Sequence, residues 1–346
     1  MKEEYEKYLK YIGGVRFWII VMGVIIALTA LKEARQIVNM ILLAMLLTSI
    51  SLAPIAWMKK KGVNSTIAIL IVIIGILASI GLMGLVIGSS ANSFVQRMPF
   101  YQQKFNVVWS GLTDWLASYG LDPVDEINPG KLLPIAGSFF ASFGSVVGES
   151  VIVFIFFIFM IFEAETFDKK MKYISPGSSD RTQVSAKKLR KYFGIKTLTS
   201  LATGVSITIA LYIIGVDFPV LWGFLAFILN FIPSIGSFIA AIPALILSFV
   251  LIGPFGVLIT GITYLVINTV IGSVIEPQLM GKNLGISPLI VFVSMIFFGY
   301  ILGPIGMLIA TPLTIVIKII LDGRPVTRNL GIMLGDGSNL GEDSKK

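Results

Sequence analysis

The chain has 346 residues, 55% of them hydrophobic and 13% charged, against about 25% charged in a soluble domain. It contains no cysteine and no histidine, which excludes disulfides, thiol nucleophiles and imidazole-based metal sites or proton relays. The formal net charge is +8, but Lys and Arg flank apolar segments, as orientation in a bilayer requires, so nucleic acid is not the expected partner.

These proportions predict an all-α polytopic membrane protein with six to eight membrane segments. Residues 1–88 hold three apolar runs, 17–31, 37–58 and 66–88, read as N-terminal transmembrane helices. A span needs about 20 apolar residues. The first run is short, and Arg16 and Lys32 can lengthen it by reaching to the interface. No small-residue cleavage site follows it, so it reads as an anchor and not as a removed signal peptide. Residues 89–149 form a polar extracytoplasmic region. There Phe94, Met98, Tyr101, Phe105, Val108, Leu112, Trp115 and Tyr119 recur every three or four positions, the period of an amphipathic helix. Pro99 is expected near its first turn. The helix is read as lying on the membrane surface or capping its neighbours, with a substrate gate or subunit contact as the sharper use. Residues 150–162 are the fourth apolar run, with Glu149, Glu163 and Glu165 at its ends. Residues 163–196 are a basic cytoplasmic segment expected to be solvated. Residues 197–321 read as the transport region, with runs 197–216, 218–252, 253–275 and 286–321. Residues 322–346 are a cytoplasmic tail, Gly- and charge-rich and expected to be disordered from Leu330.

With the N-terminus inside, 22 of the 27 Lys and Arg fall on that side and five on the other. This places both termini in the cytoplasm. The chain then crosses six times and adds two broken segments.

Those segments, 218–252 and 286–321, are interrupted by Phe231-Ile232-Pro233-Ser234-Ile235-Gly236 and by Ile301-Leu302-Gly303-Pro304-Ile305-Gly306. Pro219 and Pro243 frame the first as Pro288 and Pro312 frame the second. Proline removes an amide donor and clashes with the turn before it. Backbone groups freed in hydrocarbon survive only where protein or a cavity receives them. The two tips are read as one device made twice, either re-entrant hairpins or pairs of short spans. The spans 197–216 and 253–275 run in opposite directions, so 197–252 and 253–321 form a candidate inverted repeat.

Free amides at one arm and free carbonyls at the other suit a small polar solute: a polyol, an anion such as a borate ester, or a sodium ion. The candidate solute-binding residues are Asn230, Pro233, Ser234, Gly236, Ser237, Gly303, Pro304 and Gly306. Each has a plainer use: kinks for the prolines, tight packing for the glycines, backbone repair for the serines and an interhelical bond for Asn230. Glu276, Asp217 and Asn268 are candidates for gating or ion coupling. Their plainer uses are holding the 276–286 loop with Lys282, capping a helix before Pro219, and joining helices. No carboxylate lies clearly at mid-membrane. No GxSxG elbow or Walker A sequence is present, and no enzyme activity, metal or cofactor is expected.

Three stretches carry a family resemblance. They are Asn230 to Ser237 with Ala241-Ile242-Pro243; Val274-Ile275-Glu276-Pro277-Gln278-Leu279-Met280-Gly281 continuing to Ser287-Pro288-Leu289; and Phe298-Gly299-Tyr300 through Gly303-Pro304-Ile305-Gly306 to Thr311-Pro312-Leu313-Thr314. Together they resemble the autoinducer-2 exporter family, most clearly over 196–320. Phe298 stands where that family often has Trp. The resemblance implies a multi-pass bacterial inner-membrane protein and a homo-oligomer, a pentamer being the expected size. It implies export of autoinducer-2, a quorum-sensing signal, or of another small polar solute. The leading reading is a secondary exporter working by alternating access, with Na+ or H+ as coupling ion and lipids as surroundings. Some members are described as sodium/proton antiporters, so a sodium (lithium)/proton antiporter is the second reading. A membrane scaffold without a solute pathway is a third.

Overall fold

Long apolar runs without polar alternation fold as helices, and among the described residues every regular element is helical. The computed structural model describes residues 2–120, 151–164, 179–233, 235–280, 285–323 and 326–337, with the single positions 166, 170 and 173. Glu149, Glu165, Ser234, Lys282 and the expectations for 121–149 and 338–346 fall outside them. The helices are α1 (Lys2–Glu33), α2 (Arg35–Lys60), α3 (Ser65–Ser118), α4 (Val151–Ala164), α5 (Ser179–Ile214), α6 (Pro219–Leu229), α7 (Gly236–Ile252) and α8 (Pro254–Asn268). A π-helical segment, Thr269–Ile275, leads into α9 (Glu276–Met280), followed by α10 (Pro288–Leu302), α11 (Pro304–Asp322) and α12 (Arg328–Met333). Long and apolar enough to cross a membrane are α2, α3, Lys191–Ile214 of α5, Pro254–Met280 and α11. The chain is an all-α polytopic membrane protein, as its composition predicts.

Three expectations need correction. The helix predicted around 94–119 is not separate: it is the second half of α3, which runs unbroken for 54 residues, about 80 Å at 1.5 Å per residue. Pro99 lies inside it, because an internal proline removes only one hydrogen bond and a long helix can absorb that. Phe94, Tyr101 and Phe105 are fully buried against α6 and α7, whereas Trp115 and Tyr119 are exposed. The basic segment is not wholly solvated, since from Ser179 it is continuous with the apolar part of α5 and buries Tyr192, Phe193 and Lys196. The tail is ordered as far as 337: α12 packs on α11, and the Ser287 amide donates to the Leu334 carbonyl at 3.1 Å.

The two tips also differ in kind. Around Pro233 the chain leaves the helix at Asn230 to Pro233, and Ile235 leads into α7; no described residue there has a positive φ. At the second tip a single residue, Gly303 (φ 72°, ψ −156°), reverses the chain, and Pro304 starts α11. Its match is Gly253 (φ 91°, ψ −163°), with Pro254 starting α8. The sequence repeats accordingly: Leu-Ile-Gly-Pro-Phe-Gly-Val-Leu-Ile at 251–259 and Ile-Leu-Gly-Pro-Ile-Gly-Met-Leu-Ile at 301–309. A Cβ on Gly256 would sit 2.5 Å from the Ile252 Cβ, and one on Gly306 2.7 Å from the Leu302 Cβ. The repeated device is therefore the hairpin α7–α8 and again α10–α11, because an abrupt reversal needs a left-handed residue that only glycine adopts without cost.

Candidate functional site

In α5, Lys196, Thr199, Ser200 and Thr203 occupy positions i, i+3, i+4 and i+7, which share one helix face. That face is buried: the four residues expose 6%, 2%, 0% and 2% of their surface. Buried polar groups need partners: Thr203 Oγ1 donates to the Thr199 carbonyl of α5 itself at 3.0 Å, and two other elements supply partners for Lys196, Thr199 and Ser200. Lys196 Nζ donates to both Glu276 carboxylate oxygens, at 2.8 and 2.9 Å, and Thr199 Oγ1 donates to Oε2 at 3.1 Å. One turn along, Asn230 Nδ2 donates to Ser200 Oγ at 3.0 Å. Asn230 is buried at the C-terminal end of α6. Glu276 and Asn230 are thus brought to adjacent levels of one face of α5. Glu276 pairs with Lys196, while Lys282 lies outside the described residues.

Glu276 opens α9 directly after the π-helical segment. Such segments are rare and recur at functional sites. Lys191 Nζ donates to the carbonyl of Met280, the last residue of α9, at 2.9 Å. Two lysines of α5 therefore hold α9 by both ends, and a cation at a helix C-terminus also offsets its dipole.

Asp217 lies about 30 Å along the chain direction of α5 from Lys196, close to the thickness of a hydrocarbon core. It does not cap α6, whose N-cap is Phe218, without a side-chain bond. Instead it accepts hydrogen bonds from Tyr101 Oη at 2.7 Å and from Arg97 at 3.2 Å, both on α3. Its backbone carbonyl accepts from Trp222 Nε1 at 2.8 Å. Phe218, at φ 61°, is the one non-glycine residue with positive φ among those described. That conformation costs roughly 1–2 kcal/mol and persists because Phe218 packs against Phe94.

The tips are closed by protein. At the first, the amides of Phe231, Ile232 and Gly236 donate to the carbonyls of Ile228, Leu229 and Ile232. Ile232 and Ile235 pack on Met295, Phe298, Met307 and Ala310 of α10 and α11. Pro233 and Ser237 are half-buried. Gly236 is buried where a Cβ would fall 1.7 Å from the Leu229 carbonyl oxygen, so close packing is its evident use. At the second, Pro304 is exposed, and Gly306 leaves no room for a Cβ, which would lie 2.1 Å from the Phe298 carbonyl oxygen. The Leu302 carbonyl freed by the reversal accepts from Asn39 Nδ2 of α2 at 3.0 Å. Donors and acceptors of the tips thus do not converge on one another. Asn268 is half-buried at the end of α8, before the π-helical segment. Asn39→Leu should leave the buried Leu302 carbonyl unsatisfied and lower stability by about 1–3 kcal/mol, read as a shift in the denaturation midpoint of the purified protein. Asn39→Gln should recover part of the loss.

Sequence reasoning passed over Lys196, Thr199, Ser200 and Asn39. The first three were detectable as a polar stripe at helical spacing entering an apolar run. Asn39 had no local signal.

A family model described as AI-2E family transporter matches residues 17–324. A provisionally named transport protein of Haemophilus influenzae is 34% identical over 334 residues, covering 91% of this chain and 95% of its own. The AI-2 transport protein TqsA of Escherichia coli K12 is 29% identical, covering 94% of this chain and 97% of its own. The provisionally named transport protein YhhT of the same organism is 28% identical, covering 94% and 95%.

Proposed function

This chain belongs to the AI-2E transporter family, and from that premise we propose that it is a secondary transporter of the bacterial inner membrane. It exports a small polar solute, autoinducer-2 or a molecule of its type, by alternating access. The observation that carries this reading is the buried row Lys196–Thr199–Ser200 with Glu276 and Asn230. Ionisable groups buried within a membrane bundle are costly and are candidates for solute or ion pathways. In this reading Lys196–Glu276 is the cytoplasmic lock and Asp217–Tyr101–Arg97 the external one, and the two open in turn. The bias of Lys and Arg supports cytoplasmic termini, and the named relative TqsA supports the solute class. The hairpins α7–α8 and α10–α11 act as a pair, and the working unit is a homo-oligomer.

One observation favours sodium/proton antiport as a second reading. The Glu276 side chain is only 14% exposed, so the bundle holds a protein-enclosed carboxylate able to carry a proton or face a sodium ion. The test is flux of labelled autoinducer-2 and of sodium, at two pH values, in vesicles holding the purified chain. Autoinducer-2 efflux abolished in Glu276→Gln supports export. Sodium flux that follows pH, is lost in Glu276→Gln and occurs without autoinducer-2 flux supports antiport. Absence of both fluxes from correctly folded protein points to a scaffold.

A further inference from the structure

The same buried row bears on the charge of the solute, and this inference rests on the transport reading. Lys196 is 6% exposed, and its Nζ is held by both oxygens of one carboxylate while Thr199 Oγ1 reaches the second oxygen. That is the contact set of a bound oxyanion, with Glu276 as the occupant. One feature marks the occupant as exchangeable: Glu276 comes directly after the seven-residue π-helical segment. A π turn holds one residue more than an α turn, so relaxing it to α rotates α9 by about 100° and draws the carboxylate off Lys196. Ser200 and Asn230, one turn further along α5, offer a hydroxyl and an amide to further oxygens of a guest.

We propose that Lys196 is an anion site for the solute and that Glu276 is its resident competitor. The guest is a small hydroxylated oxyanion, with a carboxylate, phosphate or borate ester on a short polyol. Its charged group takes the place of Glu276 on Lys196, and its hydroxyls meet Thr199, Ser200 and Asn230. The displaced carboxylate leaves with α9, so occupation of the site and release of the cytoplasmic lock are one event. A neutral polyol offers Lys196 no replacement charge and leaves the pair closed.

Glycerate serves as the probe and glycerol as its neutral counterpart, each titrated against the unfolding midpoint of the purified full chain. Glycerate should raise the midpoint saturably and glycerol should not. In Glu276→Gln the half-saturating glycerate concentration should fall at least tenfold, because the competitor is gone. In Lys196→Met the response should vanish. Should either single variant fail to fold, the neutral pair Lys196→Met with Glu276→Met decides: loss of the glycerate response supports the assignment. A response that persists in that double variant, an equal response to glycerol, or an unchanged half-saturation in Glu276→Gln overturns it. Autoinducer-2 flux in vesicles without glycerate binding overturns only the anion assignment, whereas folded protein that moves no solute overturns the transport reading itself.

Discussion

Lys196→Met and Glu276→Met should each lower the stability of the purified protein by about 3–5 kcal/mol, while the double variant recovers to within about 1 kcal/mol of the parent. Desolvation sets the size of the effect. The two side chains expose 7% and 14% of their surface, so removing one partner strands a charge where water cannot reach it. Removing both leaves unbranched apolar chains of similar length in the same space. The double variant thereby separates structure from function, since it should fold and insert but transport nothing. Denaturation midpoints for the four proteins, with flux measured beside them, check both halves. A double variant that transports at the parental rate would mean that the pair is only a strut.

The second large effect is expected at Gly223. Here α5 and α6 approach until backbone meets backbone. A Cβ on Gly223 would lie 1.8 Å from Thr208 Oγ1 and 2.5 Å from the Gly204 carbonyl oxygen. Gly223→Ala must push the two helices apart, at a cost of about 3 kcal/mol, the upper end for overpacking. Because α6 carries Asn230 at one end and comes after Asp217 at the other, the shift disturbs both polar clusters, and flux should fall with stability. Adding Thr208→Ala should rescue little, since the carbonyl of Gly204 remains. Gly75→Ala, where nothing lies within 4 Å, is the matched control and should be neutral or slightly stabilising.

Much of the fold was open to reading because it depends on local chemistry. Apolar runs became helices, Pro219 and Pro288 became first residues of helices, and the breaks at Pro233 and Gly303 fall where they were placed. Glu276 and Asn230 stood out as polar groups in apolar company. What escaped notice depends on distant partners. Lys196 sits at the margin of a basic segment, where a lysine ordinarily reaches water. It is buried because Glu276, 80 positions away, meets it. Asn39 satisfies a carbonyl 263 positions away, and Asp217 meets Arg97 and, because α3 continues past Pro99, Tyr101. The Gly253-Pro254 reversal was present as a repeated nonapeptide. Its signal is weak in the sequence because Gly253 falls at the boundary between two apolar runs, whereas Pro233 and Pro304 both interrupt one.

In the transport cycle proposed above, α9 must leave α5 for solute to pass. The absence of cysteine makes a direct measurement possible. Lys191→Cys with Met280→Cys places one thiol on each element, at positions already in contact, and leaves Lys196 and Glu276 untouched. A short bis-methanethiosulfonate, which forms a disulfide with each thiol and releases sulfinate, then ties α9 to α5. Flux of labelled autoinducer-2 through vesicles should fall to background on cross-linking and return on reduction, while either single-cysteine variant treated alike keeps its rate. Undiminished flux through fully cross-linked protein would contradict that cycle.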